Sequence, residues 1–128
     1  MATSSLTHPI TLSLRPATAR RQVEAILHDE GWPGDADGIL LALHEALVNA
    51  TRHGGGARWA EAVVDESGLV LRVFDRGRSF DPRPFVRRAP EPMAERGRGL
   101  WLISHLATSC EVQTTSEGNQ LTMRFARP

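Results

Sequence analysis

Glu45 and Asn49 stand four residues apart within a stretch where Ile39, Leu40, Leu43, Leu47 and Ala50 recur at helical spacing. On a helix such a pair shares one face a single turn apart, and His53 follows one turn later. Their side chains can therefore converge. An amide oxygen can hold magnesium against phosphates, and a carboxylate can take a proton from an attacking hydroxyl, which are two needs of phosphoryl transfer. On the spacing alone, a solvated helix face is the favoured reading.

Two further segments carry chemistry of the same kind. Phe74-Asp75-Arg76-Gly77-Arg78-Ser79-Phe80-Asp81 follows an apolar run, and there glycine allows close approach of a ligand while Asp75 can accept a hydrogen bond from an amine such as that of adenine. An ordinary strand-end turn uses the same residues. Arg96-Gly97-Arg98-Gly99-Leu100 precedes another helical pattern, so glycine amides and a helix N-terminus would face a bound anion. A helix entry or lid hinge explains this segment almost as well.

The elements that must position these residues can be read from periodicity. Ile10, Leu12 and Leu14 alternate with polar residues as in a half-buried strand, and Pro16 can open a first helix whose stripe is Val23, Ile26 and Leu27. Gly31 stops that helix, and Arg20 and Arg21 are expected on its wet, basic outward face. Asp35 or Asp37 caps the second helix, which Gly54-Gly55-Gly56 ends. Trp59 to Val64 and Leu69 to Phe74 form a hairpin across Asp65-Glu66-Ser67-Gly68. Prolines 82, 84, 90 and 92 break any regular pattern, so a loop or lid is expected over approximately residues 80–98. Leu100, Ile103, Leu106 and Ala107 give a third helix, and Cys110 to Thr115 with Leu121 to Phe125 close the chain as a second hairpin around Glu117-Gly118-Asn119. The expected fold is a two-layer α/β (α+β) sandwich, with three helices on one face of a five-stranded mixed sheet. Trp32, Trp59 and Trp101 are expected to pack in the core or on the sheet.

Composition narrows the function. The 128 residues fit one domain, 1–128. The 15 basic and 15 acidic side chains cancel, so no bulk field draws the chain to nucleic acid or an anionic membrane. Every basic residue is Arg, which removes the phosphate-contacting lysine of the common P-loop. Cys110 is the one cysteine and is expected to be a buried structural thiol in a reducing compartment. The start lacks a signal-peptide pattern and no apolar run could span a bilayer, so a cytoplasmic location is expected. Val48 occupies the place where a helical zinc-protease motif beginning at His44-Glu45 would need its second histidine.

Taken together and in this order, the three segments resemble the GHKL ATPase and kinase superfamily, and within it the short bacterial anti-sigma-factor serine/threonine kinases. Leu43-His44-Glu45-Ala46-Leu47-Val48-Asn49-Ala50 through His53-Gly54 is similar to the family's N box. The resemblance implies Glu45 as catalytic base and Asn49 as the Mg2+ ligand, with His53 beside them. Asp75, Gly77 and Ser79 match the first glycine box, implying Asp75 at the adenine amino group. Gly97, Arg98, Gly99 and Leu100 match the second, implying amide contacts to the phosphates. Ser79 replaces a glycine of the broader superfamily, as in many of the short kinases. Asn119 stands where a nucleotide-contacting threonine is often found, and its amide could replace that hydroxyl or weaken binding.

What the resemblance implies is a kinase that binds ATP and Mg2+, phosphorylates a serine on a small anti-sigma antagonist protein, and sequesters a sigma factor as a homodimer. A nucleotide-dependent protein-binding switch without phosphate transfer is the alternative. The catalytic fragment of a histidine-kinase-like system ranks behind both, because the sequence shows no helical segment carrying a phosphoacceptor histidine.

Overall fold

The computed structural model describes residues 8–83 and 98–128. In chain order these form β1 (Ile10–Thr11), α1 (Pro16–Asp29), α2 (Asp37–His53), β2 (Ala57–Val64), β3 (Gly68–Asp75), α3 (Arg98–Leu106), β4 (Ser109–Thr115) and β5 (Gly118–Ala126). Most of the lid expected over residues 80–98 lies outside the described residues.

The five strands form one sheet in the order β1-β2-β3-β5-β4. Every neighbouring pair is antiparallel, so the sheet is not mixed. The difference arises because β5 enters between β3 and β4: it returns directly from β4 through a tight hairpin and thereby also runs opposite to β3. The β3–β5 register pairs Leu71 with Met123, Val73 with Leu121 and Asp75 with Asn119. Because side chains alternate along a strand, all six face the same side. Leu71, Val73, Leu121 and Met123 are buried under the helices, so Asp75 and Asn119 continue the helix-facing row at the end of the sheet.

α2 is the central helix. Its buried stripe of Ile39, Leu43, Ala46, Leu47 and Ala50 joins the sheet residues in a single core, with α1 and α3 packed on either side. α1 contributes Ala19, Val23, Ile26 and Leu27, and α3 contributes Leu100 and Ile103. Burying each large aliphatic side chain is worth about 1.5–3 kcal/mol. Helices thus cover one sheet face, and the other is held by its own surface pairs. Arg72 bridges Glu61 at 3.0 Å, and Trp59 stacks on Phe74 with ring centroids 6.0 Å apart. Trp59 is therefore an exposed sheet-packing residue and not a core one. Trp32 packs partly buried against the core with the Arg127 guanidinium 5.3 Å from its ring centre.

Several local expectations change. The first strand ends at Thr11, since Leu12 is buried but the chain then turns outward to reach Pro16, leaving Leu14 exposed. Arg20 does not lie on an open basic face: it is half-buried and donates to Nδ1 of His44 at 2.6 Å across the α1–α2 contact. Neither Asp35 nor Asp37 occupies the cap position of α2, which is Ala36, although the Asp35 carboxylate accepts the N–H of Asp37. Cys110 is half-buried on the core side of β4, and burial pushes its thiol pKa up.

The β2–β3 turn is closed by Asp65, whose Oδ1 accepts the hydroxyl and N–H of Ser67 and the N–H of Gly68. These bonds favour the carboxylate, Ser67 first, and hold its pKa below the ordinary 3.8. The group binds its proton less readily folded than unfolded. Its contribution is accordingly complete above the unfolded pKa and is lost as pH falls through the lower folded value. Asp65→Ala is expected to lower the melting temperature at pH 6 and to narrow the gap from wild type toward pH 2. A gap that stays constant between those pH values would contradict this role.

Candidate nucleotide site

Glu45 and Asn49 both point from α2 toward the first described turn of α3. A β-carbon placed on Gly99 would stand 3.6 Å from Glu45 Oε1 and 3.7 Å from Asn49 Oδ1, which locates both side-chain oxygens at one spot beside the α3 backbone. They line a cleft of about 290 Å³ together with Arg52, His53, Arg98 and Gly99. Two side-chain oxygens and two guanidinium groups suit a polyphosphate and a hard divalent cation.

Asn49 also borders a second, deeper cavity between α2, α3 and the sheet. Asp75 and Asn119 join Asn49 as its polar lining residues, and Leu100, Phe80 and Val112 are among its apolar walls. Its volume is about 30 Å³, close to the space of one water, so a purine ring is admitted only when the walls part. Asp75 Oδ1 accepts the N–H of Gly77 at 2.7 Å and the Asn119 amide at 3.3 Å. Asn119 Nδ2 also donates to the Arg78 carbonyl at 3.1 Å. Asn119 Oδ1 is buried with no partner among the described residues. Buried polar atoms are nearly always paired, so an orphan acceptor on a residue that lines a cavity fits a site that takes a donor.

Glycine makes this end of the site possible. A β-carbon on Gly54, at the end of α2, would fall 2.3 Å from Asp75 Cγ, and one on Gly77 would fall 2.8 Å from the Gly54 α-carbon. The turn after α2 and the turn after β3 therefore touch backbone to backbone, with the Asp75 carboxylate wedged between. Gly54→Ala is expected to displace that carboxylate and to weaken ATP binding more than tenfold, with a smaller loss of thermal stability. Calorimetric titration beside a thermal melt checks it, and unaltered ATP affinity would contradict it.

The sequence-derived residues are thus brought together in part. Glu45, Asn49, His53, Arg98 and Gly99 share the outer cleft, while Asp75, Leu100 and Asn119 share the inner cavity, with Gly77 bonded to Asp75. Leu100 is a buried apolar wall. Ser79 reaches neither space: it is exposed and its hydroxyl donates to the Thr115 carbonyl at 2.9 Å, tying the loop to the end of β4. Gly97 lies outside the described residues. Arg52, which lines the outer cleft, was not singled out by sequence reasoning, although it stands three residues after Asn49 on the same helix.

The sequence profile of the histidine kinase-like ATPase domain matches residues 11–125, nearly the whole chain and every element that builds both spaces. The chain belongs to that family. Among solved structures, the mycobacterial sensor histidine kinase MprB superposes on this ATPase domain with a TM-score of 0.57 and 17% identity, over 96% of this chain and 99% of that one. The likeness shows a shared fold. No curated protein matches this ATPase domain in sequence. As a histidine kinase-like ATPase domain of the GHKL superfamily, the chain is an ATP-binding domain of the kind that serves ATP-dependent phosphotransfer. The orphan acceptor, the glycine-lined turn and the oxygen-rich cleft all fit the nucleotide that the family takes. Among the described residues, no helix is long and apolar enough to cross a membrane.

Proposed function

We propose that this ATPase domain is a serine/threonine protein kinase of the anti-sigma-factor type, phosphorylating a serine on a small antagonist protein and binding a sigma factor. The observation that carries the reading is the meeting of Glu45 Oε1 and Asn49 Oδ1 beside Gly99, at the mouth of a cleft edged by Arg52 and Arg98. Asp75 holds the base, the Gly54–Gly77 contact sets its seat, and Arg52 and Arg98 neutralise the phosphates. Asn49 holds the magnesium ion. Bound ATP with magnesium supplies the transferable phosphoryl group. Glu45 orients the incoming serine hydroxyl and accepts its proton. The choice of serine and of these partners is supported by the sequence resemblance, in which Ser79 is shared with many of the short anti-sigma kinases.

Phosphoserine survives acid and phosphohistidine does not, which makes the acceptor measurable. Incubation with terminally labelled ATP, magnesium and the small proteins of a cell extract should give label that resists acid and is recovered as phosphoserine. Label that is lost in acid would overturn the serine reading.

A further inference from the structure

We propose that an exposed apolar strip on α2, Leu41 with Val48, is the docking surface for the protein that accepts the phosphoryl group, and that it takes apolar side chains on either side of the accepting serine. The inference rests on the kinase reading and deepens it by assigning the acceptor's contact.

α2 turns Ile39, Leu43, Ala46, Leu47 and Ala50 into the core. At 3.6 residues per turn, Leu41, Glu45, Val48 and Arg52 fall within about 60° of one another on the opposite side. Such a face ordinarily carries polar residues. Here Leu41 is the most exposed large hydrophobic side chain among the described residues, at 42%, and Val48 is half-buried. The polar groups on the flanks of the strip are turned to the protein itself. His44, toward α1, has its Nδ1 engaged by Arg20, and Glu45, toward α3, has Oε1 beside Gly99.

Nucleotide chemistry does not call for this strip. Leu41 lines neither the outer cleft nor the inner cavity. Glu45 lies about 6 Å along the helix axis from Leu41 and about 4.5 Å from Val48, so a hydroxyl brought to its carboxylate arrives between the two apolar side chains. Val48 and Leu102 carry the apolar surface into the cleft that Glu45 lines. A serine with charged neighbours would press those charges against leucine and valine and lose their hydration, whereas one with apolar neighbours takes the strip out of water. A second copy of the chain seated here would cover Glu45 and shut the cleft to any acceptor. The strip therefore suits a protein that arrives for the reaction and leaves.

The test uses the whole chain with terminally labelled ATP, magnesium and the small proteins of a cell extract as acceptor, comparing wild type with Leu41→Gln and Leu41→Met. Glutamine keeps the helix preference of leucine but not its apolar surface, and methionine keeps both. Leu41→Gln is expected to label acceptor about five- to twentyfold more slowly in dilute extract, which is the worth of the apolar area lost, and to recover as the extract is concentrated. Leu41→Met should label at nearly the wild-type rate, and ATP affinity, read by calorimetry, should be unchanged in both. Labelling by Leu41→Gln at the wild-type rate, or an equal loss in Leu41→Met, would overturn the proposal. So would a matching loss of ATP affinity, which would tie Leu41 to the nucleotide site, or a change of oligomeric state in sedimentation, which would assign the strip to a second copy. If thermal melting shows the glutamine variant unfolded, Leu41→Ala, the best helix former, carries the same expectation. Failure of wild type to label any acceptor would instead refute the kinase reading itself.

Discussion

Asp75→Asn is expected to lower ATP affinity by about 10- to 150-fold, the worth of a hydrogen bond to a charged group, while the fold survives. The structure explains why the two effects separate. An amide at this position can still turn its oxygen to the Gly77 N–H, as Asp75 Oδ1 does now at 2.7 Å, so the turn after β3 keeps its closure. Its nitrogen then faces the cavity where Asp75 offers an oxygen, and donor meets donor at the amine of the base. Calorimetric titration with ATP measures the loss and a thermal melt confirms the fold. Affinity within threefold of wild type would remove Asp75 from the base contact.

Glu45→Gln separates binding from chemistry. The substituted side chain has the same length and still lines the outer cleft, so ATP affinity should stay within about twofold. It cannot accept a proton, and phosphotransfer should fall by roughly 10²- to 10⁴-fold, the usual contribution of a general base. Asn49→Ala, by contrast, should weaken both, because its oxygen is the proposed magnesium ligand and also borders the inner cavity. Labelled phosphate transfer under saturating ATP reads the two variants apart. Transfer by Glu45→Gln at the wild-type rate would show that the base lies elsewhere.

Much of this arrangement is legible in the sequence because it is built from local periodicity. Ile39, Leu43, Ala46, Leu47 and Ala50 mark the buried face of α2, and the turn of that helix fixes Glu45 and Asn49 as neighbours before any tertiary contact is known. The hairpin turn at Asp65 to Gly68 is likewise specified by residues two and three apart. Long-range pairings are not written in this way. That β5 enters between β3 and β4, making every pair antiparallel, depends on contacts between residues 44 to 58 positions apart. Trp59 illustrates a second limit. Its hydrophobicity suggests the core, but strand alternation and the Phe74 partner place it on the uncovered face. The orphan oxygen of Asn119 is a third. Its direction is decided by Asp75 and Arg78, at separations of 44 and 41 residues, and no reading of the Gly118-Asn119 turn could supply it. Ser79 shows the reverse case, a motif position whose side chain the fold draws away to Thr115.

The proposed function requires the cleft between α2 and α3, together with the Asp75 cavity, to be one site for ATP with magnesium. Calorimetric titration of the intact protein with ATP at physiological salt, with magnesium and then with the metal chelated, tests it most directly. Saturable binding of one nucleotide per chain is expected, clearly tighter when magnesium is present, as the proposed metal contact of Asn49 in that cleft requires. No heat of binding from a sample shown by melting to be folded, or binding indifferent to magnesium, would contradict it.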